Sequence, residues 1–435
     1  MGHRTSNSPS HLVAALVEAL RRYTGILQEP LPRRFLIAQL LSSIGDWFNF
    51  VAVMLVANRL GVDNGELAVG TALAIRFVPR LIFQGPAGAL SDRFRGPHLL
   101  ILSQAGMGLL ALSLVLLRWL PELWLLYSII FLLEALYTVS RPAFMVLLIR
   151  IVPPPQRAAA NGLIGIGLTA AQFVGAALGG LVSAWTTETT LFIINSLTFF
   201  VLALLIWQVR HSIPAQAEGA PLPEMTSDGV PALSSYRDLA RQRDVMIYLA
   251  QQASIVILIQ AATALFVTRA LELGQPDSAS GLLLSMVGLG LLAGSLLGGA
   301  GQYDTRRALR IVAVTEVASG LGLVIFGLTD VWTVALATLV LTGFASQISD
   351  VAGSTHFQNR LPEEIYGRFF SLFLLALSVG GLVGALLGPV LQQHLSTGRT
   401  LTVLFLPALL TSVALAWTSR SPVLAKPQTC HGRPG

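Results

Sequence analysis

The chain has 435 residues, of which 54% are hydrophobic and only 11% are charged, whereas an ordinary soluble domain carries roughly 25% Asp, Glu, Lys and Arg. The surplus apolar surface must face lipid, which excludes a soluble enzyme. The net charge of +6 does not mark a nucleic-acid partner, because the basic residues sit in short gaps between long apolar runs.

In chain order, the residues before the first long apolar run place Leu12, Leu16, Leu20, Tyr23 and Leu27 at helical spacing, with Glu18, Arg21 and Arg22 on a polar face. The segment 1–34 therefore reads either as a cytoplasmic segment with a helix on the membrane surface or as a partly ordered tail. Nothing in it reads as a cleavable signal, since the first run begins near Phe35 and leads straight into more spans.

Twelve stretches then reach the roughly 20 apolar residues that a helix needs to cross a bilayer. They cover 35–59, 67–90, 98–119, 123–146, 158–184 and 189–208, then 245–270, 278–300, 309–329, 332–356, 365–391 and 400–419. Between the two sets lies the only long gap, 209–242, whose part from Pro214 to Ser235 is rich in Pro, Ala, Gly and Ser, as flexible linkers are. The expected organisation is a six-helix unit over 35–208, a cytoplasmic linker, a second six-helix unit over 243–420, and a tail, 421–435.

An even number of spans puts both termini on one side. About 21 Lys and Arg fall on that side and about four on the other, so the termini are expected in the cytoplasm of a cell with an inner or plasma membrane. The one cysteine, Cys430, rules out an intramolecular disulfide and a Cys-rich metal site. The seven histidines show no zinc-protease spacing, and there is no Gly-x4-Gly-Lys-Ser/Thr phosphate loop. No metal, cofactor or enzymatic activity is expected, and energy must come from gradients.

The halves resemble each other. Gly88-Ala89-Leu90-Ser91-Asp92-Arg93-Phe94-Arg95 closes helix 2, and Ala300-Gly301-Gln302-Tyr303-Asp304-Thr305-Arg306-Arg307 closes helix 8, aligning Asp92 with Asp304 and Arg95 with Arg307. Helix 5 carries Gly175, Gly179 and Gly180, and helix 11 carries Gly380, Gly381, Gly384 and Gly388. Small residues at four-residue spacing let helix backbones approach closely, so these glycines, together with the Gly run of helix 8, are expected to form the seams along which two bundles rock.

These features resemble the major facilitator superfamily, from about Phe35 to Arg420. The family loop Gly-x3-Asp-Arg-x-Gly-Arg-Arg is matched at Gly88, Asp92 and Arg93, while Arg95-Gly96 stands where Gly-Arg is the family pattern. Gly45-Asp46-Trp47, Pro79 through Arg95, and Val152-Pro153 to Asn161 are similar to the branch that contains macrolide efflux permeases and the enterobactin exporter. Helix 5 lacks the proline of the antiporter pattern Gly-Pro-x2-Gly-Gly. The resemblance implies an all-α integral membrane fold of twelve helices in two pseudo-symmetric bundles, with helices 1, 4, 7 and 10 lining a central cavity. It also implies a conformational latch, in which Asp92 meets the start of helix 11 near Tyr366 and Arg368 and Asp304 meets the start of helix 5 near Arg157. A carboxylate at a helix N-terminus gains about 0.3–1 kcal/mol.

Charged residues inside spans are costly and so face a cavity or a partner. Asp46 in helix 1 either exchanges protons as access alternates or pairs with Arg76 or Arg80, which share one face of helix 2. Glu134 and Arg141 project from one side of helix 4, with Tyr137 between them, and Glu134 is the second candidate for binding a proton or cation, the alternative being an arginine partner. From the other half, Asp350 and Gln347 on helix 10 and Gln251, Gln252 and Gln260 on helix 7 offer polar contacts to substrate or to neighbouring helices. Glu316 on peripheral helix 9 is expected to snorkel or to form a local salt bridge. Trp47 and Phe50 flank Asp46, a setting that suits amphipathic solutes.

The leading functional expectation is a monomeric, proton-driven exporter of a hydrophobic or amphipathic small molecule such as a drug, a macrolide-like compound or a siderophore. Alternatives are an importer, a lipid-moving carrier or a passive facilitator of the same fold, or a membrane assembly or signalling protein that does not transport.

Overall fold

In lipid each backbone N–H and C=O must bond within its own segment, so uninterrupted apolar runs become α-helices. The computed structural model describes residues 25–83, 96–152, 156–210, 239–298, 305–361 and 363–418, and within them all the regular structure is helical. In the first half, α1 spans Pro30–Leu60, α2 Gly65–Ile75, α3 Gly96–Ser113, α4 Leu123–Ile151, α5 Arg157–Trp185 and α6 Glu188–Val209. In the second, α7 spans Arg243–Ala264, α8 Ser280–Gly298, α9 Thr305–Leu328, α10 Trp332–Arg360, α11 Glu363–Gln392 and α12 Thr397–Thr418.

Eleven of these are long and apolar enough to cross a membrane. The twelfth is α2, which breaks at Arg76 and resumes over 77–83, where the described residues end. α1 starts on prolines at its first turn, where their missing N–H has no helical partner to lose. α7 likewise breaks at Leu265 and resumes as a short helix over Phe266–Glu272. The twelve-helix fold expected from the sequence is the one observed. The N-terminal residues 1–24, the linker residues 211–238 and the tail from 419 lie outside the described residues, and with them most of the surface-helix expectation.

Packing repeats between the halves. α1 packs on α5 and α6, α3 on α4 and α6, and α2 on α4; adding six to each label gives α7 on α11 and α12, α9 on α10 and α12, and α8 on α10, all of which are also in contact. The same operation turns the α2–α11 contact between the halves into the α8–α5 contact. The core is arranged unevenly along the helices. One apolar cluster runs through both halves at the end where α1 finishes, joining Val51, Leu73 and Phe192 to Leu258, Phe266 and Leu401. At the opposite end, where the chain enters α1, it divides. Phe35, Leu147 and Leu202 belong to one cluster in the first half, and Tyr248, Leu309 and Phe357 to another in the second.

The glycines sort differently from expectation. Cβ atoms added at Gly175 and Gly179 would meet Trp47 and Val51 of α1, within the first half, and those at Gly384 and Gly388 would meet Ile257 and Ala261 of α7, within the second. Gly180 and Gly381 of the expected set face across: a Cβ on Gly180 would lie 2.7 Å from the Ser278 carbonyl and 3.1 Å from Gly281, and one on Gly381 would meet the Phe77 ring of the first half. Four-residue spacing marks a face that admits close approach but does not say which helix approaches it. Gly281 and Gly288 of helix 8, also expected at the seam, lie there, with an added Cβ on Gly288 reaching the Phe173 backbone; Gly70, which was not expected, completes it, its added Cβ reaching Ala385 and Pro389.

Candidate substrate cavity

A cavity of about 190 Å³ lies among the helices of the first half. α1 supplies Gln39, Ser43, Asp46, Trp47, Asn49 and Phe50, spaced so that they fall on one helical face. α2 supplies Arg76 and Arg80, and α4 supplies Leu133, Glu134 and Tyr137. Met107, Leu168, Asn195 and Phe199 close the cavity from α3, α5 and α6. The break in α2 falls at Arg76, whose N–H donates back to the Leu73 carbonyl at 3.3 Å, a tighter turn than the α-helix makes.

The charges are partitioned. Arg76 Nε donates to Glu134 Oε1 at 2.6 Å, and Arg80 Nη2 donates to Glu134 Oε2 at 3.1 Å. One carboxylate, 8% exposed, thus holds two guanidiniums through charge-assisted bonds. Arg76 also lies over the Phe50 ring, 4.7 Å from its centroid, and Arg80 over Phe77 at 5.5 Å, contacts that favour a cation. Asp46 shares the cavity but has no ion pair within 4 Å among the described residues. Of the two alternatives for Glu134, the arginine pairing is the one found, and it leaves Asp46 without a salt bridge among the described residues, with Arg76 acting on it only through space.

Behind Asp46, α1 and α6 are in close contact. A Cβ on Gly45 would lie 2.7 Å from Asn195 Oδ1, so only glycine allows this approach. Asn195 is 1% exposed, and its Nδ2, like Asn49 Oδ1, has no hydrogen-bond partner among the described residues. The Trp47 and Phe50 rings meet at a tilt of 53°, 5.2 Å between centroids. Arg141 Nη1 donates to the Tyr137 hydroxyl at 2.7 Å, so it stands at the edge of the cavity. Aromatic walls with a few fixed charges can hold an amphipathic solute.

The other candidates lie elsewhere. Gln252 is buried in the second half, and its Nε2 donates to the Tyr248 hydroxyl at 3.3 Å. Gln347 backs onto Gly294 of α8, and Asp350 is exposed on α10, beside Gln252. Arg157 donates to the Val152 carbonyl at 3.4 Å, and Arg368 is half-buried on α11. The latch residues Gly88, Asp92, Arg93, Arg95 and Asp304, with the side chain of Arg307, lie outside the described residues. Sequence reasoning missed Gln39, Ser43, Asn49 and Asn195; polar residues interrupting apolar runs, at helical spacing from Asp46 in three of the four cases, were the available signal. Glu316 does not snorkel: it is 2% exposed.

A family model described as the Major Facilitator Superfamily matches residues 35–385 and, again, 255–431. The chain belongs to this superfamily. The chain is 26% identical over 395 residues to the protein named "Uncharacterized MFS-type transporter YfiS" from Bacillus subtilis (strain 168), covering 87% of this chain and 90% of the relative. It is 27% identical over 190 residues to the enterobactin exporter EntS of Salmonella choleraesuis (strain SC-B67), a match that covers 44% of each. Its fold matches that of a bacterial homologue of the human lysosomal transporter Spinster in an inward-facing, unoccupied conformation, with a TM-score of 0.63, 15% identity and coverage of 90% of this chain and 96% of the other. It is therefore a multi-pass membrane transporter of the facilitator type, and the cavity between α1, α2 and α4 is where its polar groups converge.

Proposed function

We propose that this transporter exports an amphipathic or lipophilic small molecule from the cytoplasm in exchange for protons, as a monomer in the inner or plasma membrane with both termini cytoplasmic. The observation that carries the reading is the division of charge in the cavity. Glu134 is occupied by Arg76 and Arg80, whereas Asp46 has no salt bridge among the described residues and lines the same space. A carboxylate so placed can take up a proton on one side of the membrane and lose it on the other as access alternates, while one clamped by two guanidiniums stays charged. Trp47, Phe50 and Tyr137 supply apolar wall for the solute. Export is supported by the similarity to EntS over the matched 190 residues.

The test uses the full chain in proteoliposomes, with uptake of lipophilic dyes and siderophore-like compounds measured with and without an imposed pH gradient. Gradient-driven flux should fall at least about tenfold in Asp46→Asn, the change expected if a step of about 1.4 kcal/mol or more is lost. Flux that ignores both gradient and mutation would replace exchange by facilitation, and inward accumulation under an export gradient would reverse the direction.

A further inference from the structure

The second half holds a carboxyl group that the cavity chemistry does not use. Glu316 lies midway along α9, 2% exposed. α9 packs on α10, α12 and α7. From α7, Gln251 reaches Glu316, and from α10 Ser349 does; both are 0% exposed. Tyr248 and Asp350 are the titratable groups that complete the surroundings. α12 carries only Arg399, in its first turn. Arg360 at the far end of α10 is paired with Asp244, and His356 lies against the Phe357 ring, 4.9 Å between centroids. Among the described residues Glu316 has no salt bridge.

The polar atoms that face it serve no other partner. Among the described residues, Glu316 Oε2, Ser349 Oγ and both amide atoms of Gln251 make no well-formed hydrogen bond to any other group, which leaves Ser349 and Gln251 to the carboxyl they face. A lone ionised carboxylate in mid-membrane is costly, whereas a carboxylic acid is neutral and offers an O–H that Ser349 Oγ or Gln251 Oε1 can accept. A sodium ion would need several oxygens, which transporters draw in part from the carbonyls of unwound helices. α7, α9 and α10 run unbroken past 251, 316 and 349, so their carbonyls are already bonded.

We propose that Glu316, together with Gln251 and Ser349, forms a second proton-binding site, separate from the cavity of the first half. The repeat places Gln104 of α3 where α9 has Glu316, the same number of residues after Asp92 as Glu316 is after Asp304. Gln104 is itself buried, with Oε1 unpartnered. The first half thus has a permanently neutral amide at the position where the second has a group that can gain and lose a proton. The site stands on its own geometry and does not depend on Asp46 carrying the coupling proton.

The experiment is infrared difference spectroscopy between acidic and alkaline pH on the full chain in lipid vesicles, in sodium-free buffer. A carboxylic C=O stretch that persists at neutral pH and shifts in D2O should disappear in Glu316→Gln and change frequency, without disappearing, in Ser349→Ala. Should Glu316→Gln fail to fold, the frequency change in Ser349→Ala and in Gln251→Leu still reads the site. A spectrum unchanged by all these substitutions would overturn the proposal, as would loss of the band on adding sodium at neutral pH, which would make the site one for a metal cation. Asp46→Asn in the same preparation removes a different signal if the export reading is right, so the two ideas fail independently.

Discussion

Glu134 and Asp46 are carboxylates in one cavity, and their neighbours give them opposite work. Removing Glu134 by Glu134→Ala leaves two guanidiniums without an acceptor, so the protein should lose about 3 kcal/mol of stability, read as a lower melting temperature in detergent. Asp46→Asn should leave melting nearly unchanged while cutting gradient-driven flux at least about tenfold. Gly45→Ala tests the contact behind Asp46. Its Cβ would lie 2.7 Å from Asn195 Oδ1, and overpacking of that kind costs about 1–3 kcal/mol. Gly165→Ala, where nothing lies within 4 Å of the added Cβ, should instead stabilise by up to about 1 kcal/mol through helix propensity. Opposite signs for the two glycines in one melting assay are the expected result. The sequence made the charged residues of this site legible because apolar runs cannot hide them. It could not show which carboxylate the arginines would take, since four-residue spacing puts Arg76 and Arg80 on one face without saying which helix that face meets. For Glu316 the error was to infer periphery from helix order; its neighbours on α7 and α10 make it interior.

At the scale of the elements, the spans were readable because lipid forces every apolar run of sufficient length into a helix. The break at Arg76 is announced by Pro79, which has no N–H to give to the Ile75 carbonyl four residues back; the break at Leu265 is not, since no proline or glycine lies near it. The glycines divide into two classes by the helix they touch. Within a half, Gly175 against α1 and Gly384 against α7 fix rigid pairs, so Gly175→Leu or Gly384→Leu should unfold the protein or sharply lower its yield. Between halves, Gly180 faces Gly281, and a side chain there meets a surface that must slide. Gly180→Leu should preserve folding, as judged by size-exclusion profile, while slowing flux by tenfold or more. Equal loss of yield from both classes would mean that the halves do not move at this seam.

For the molecule as a whole, the offset between the halves that sequence motifs indicated is realised as a contact pattern that repeats when six is added to each helix label. What no motif indicated is the conformation, because both conformations of a rocking carrier satisfy the same repeat. The halves touch at the non-terminal end, where Gln393 Nε2 donates to Asn64 Oδ1 at 3.4 Å and Gly70 lies against Pro389. A disulfide formed between Asn64→Cys and Gln393→Cys, with Cys430→Ser to remove the native thiol, should trap this end shut. Flux should stop on oxidation and return on reduction; flux that continues after complete cross-linking, shown by electrophoresis, would mean that this end need not open.

The apolar cluster common to both halves also sets how the protein comes apart. Because Leu73 and Phe192 of the first half share one core with Leu258 and Leu401 of the second, neither half can melt without exposing the other's buried surface. Heating should therefore give one cooperative transition, although the chain is a duplicated structure, and halves produced as separate polypeptides should be stable only when they meet.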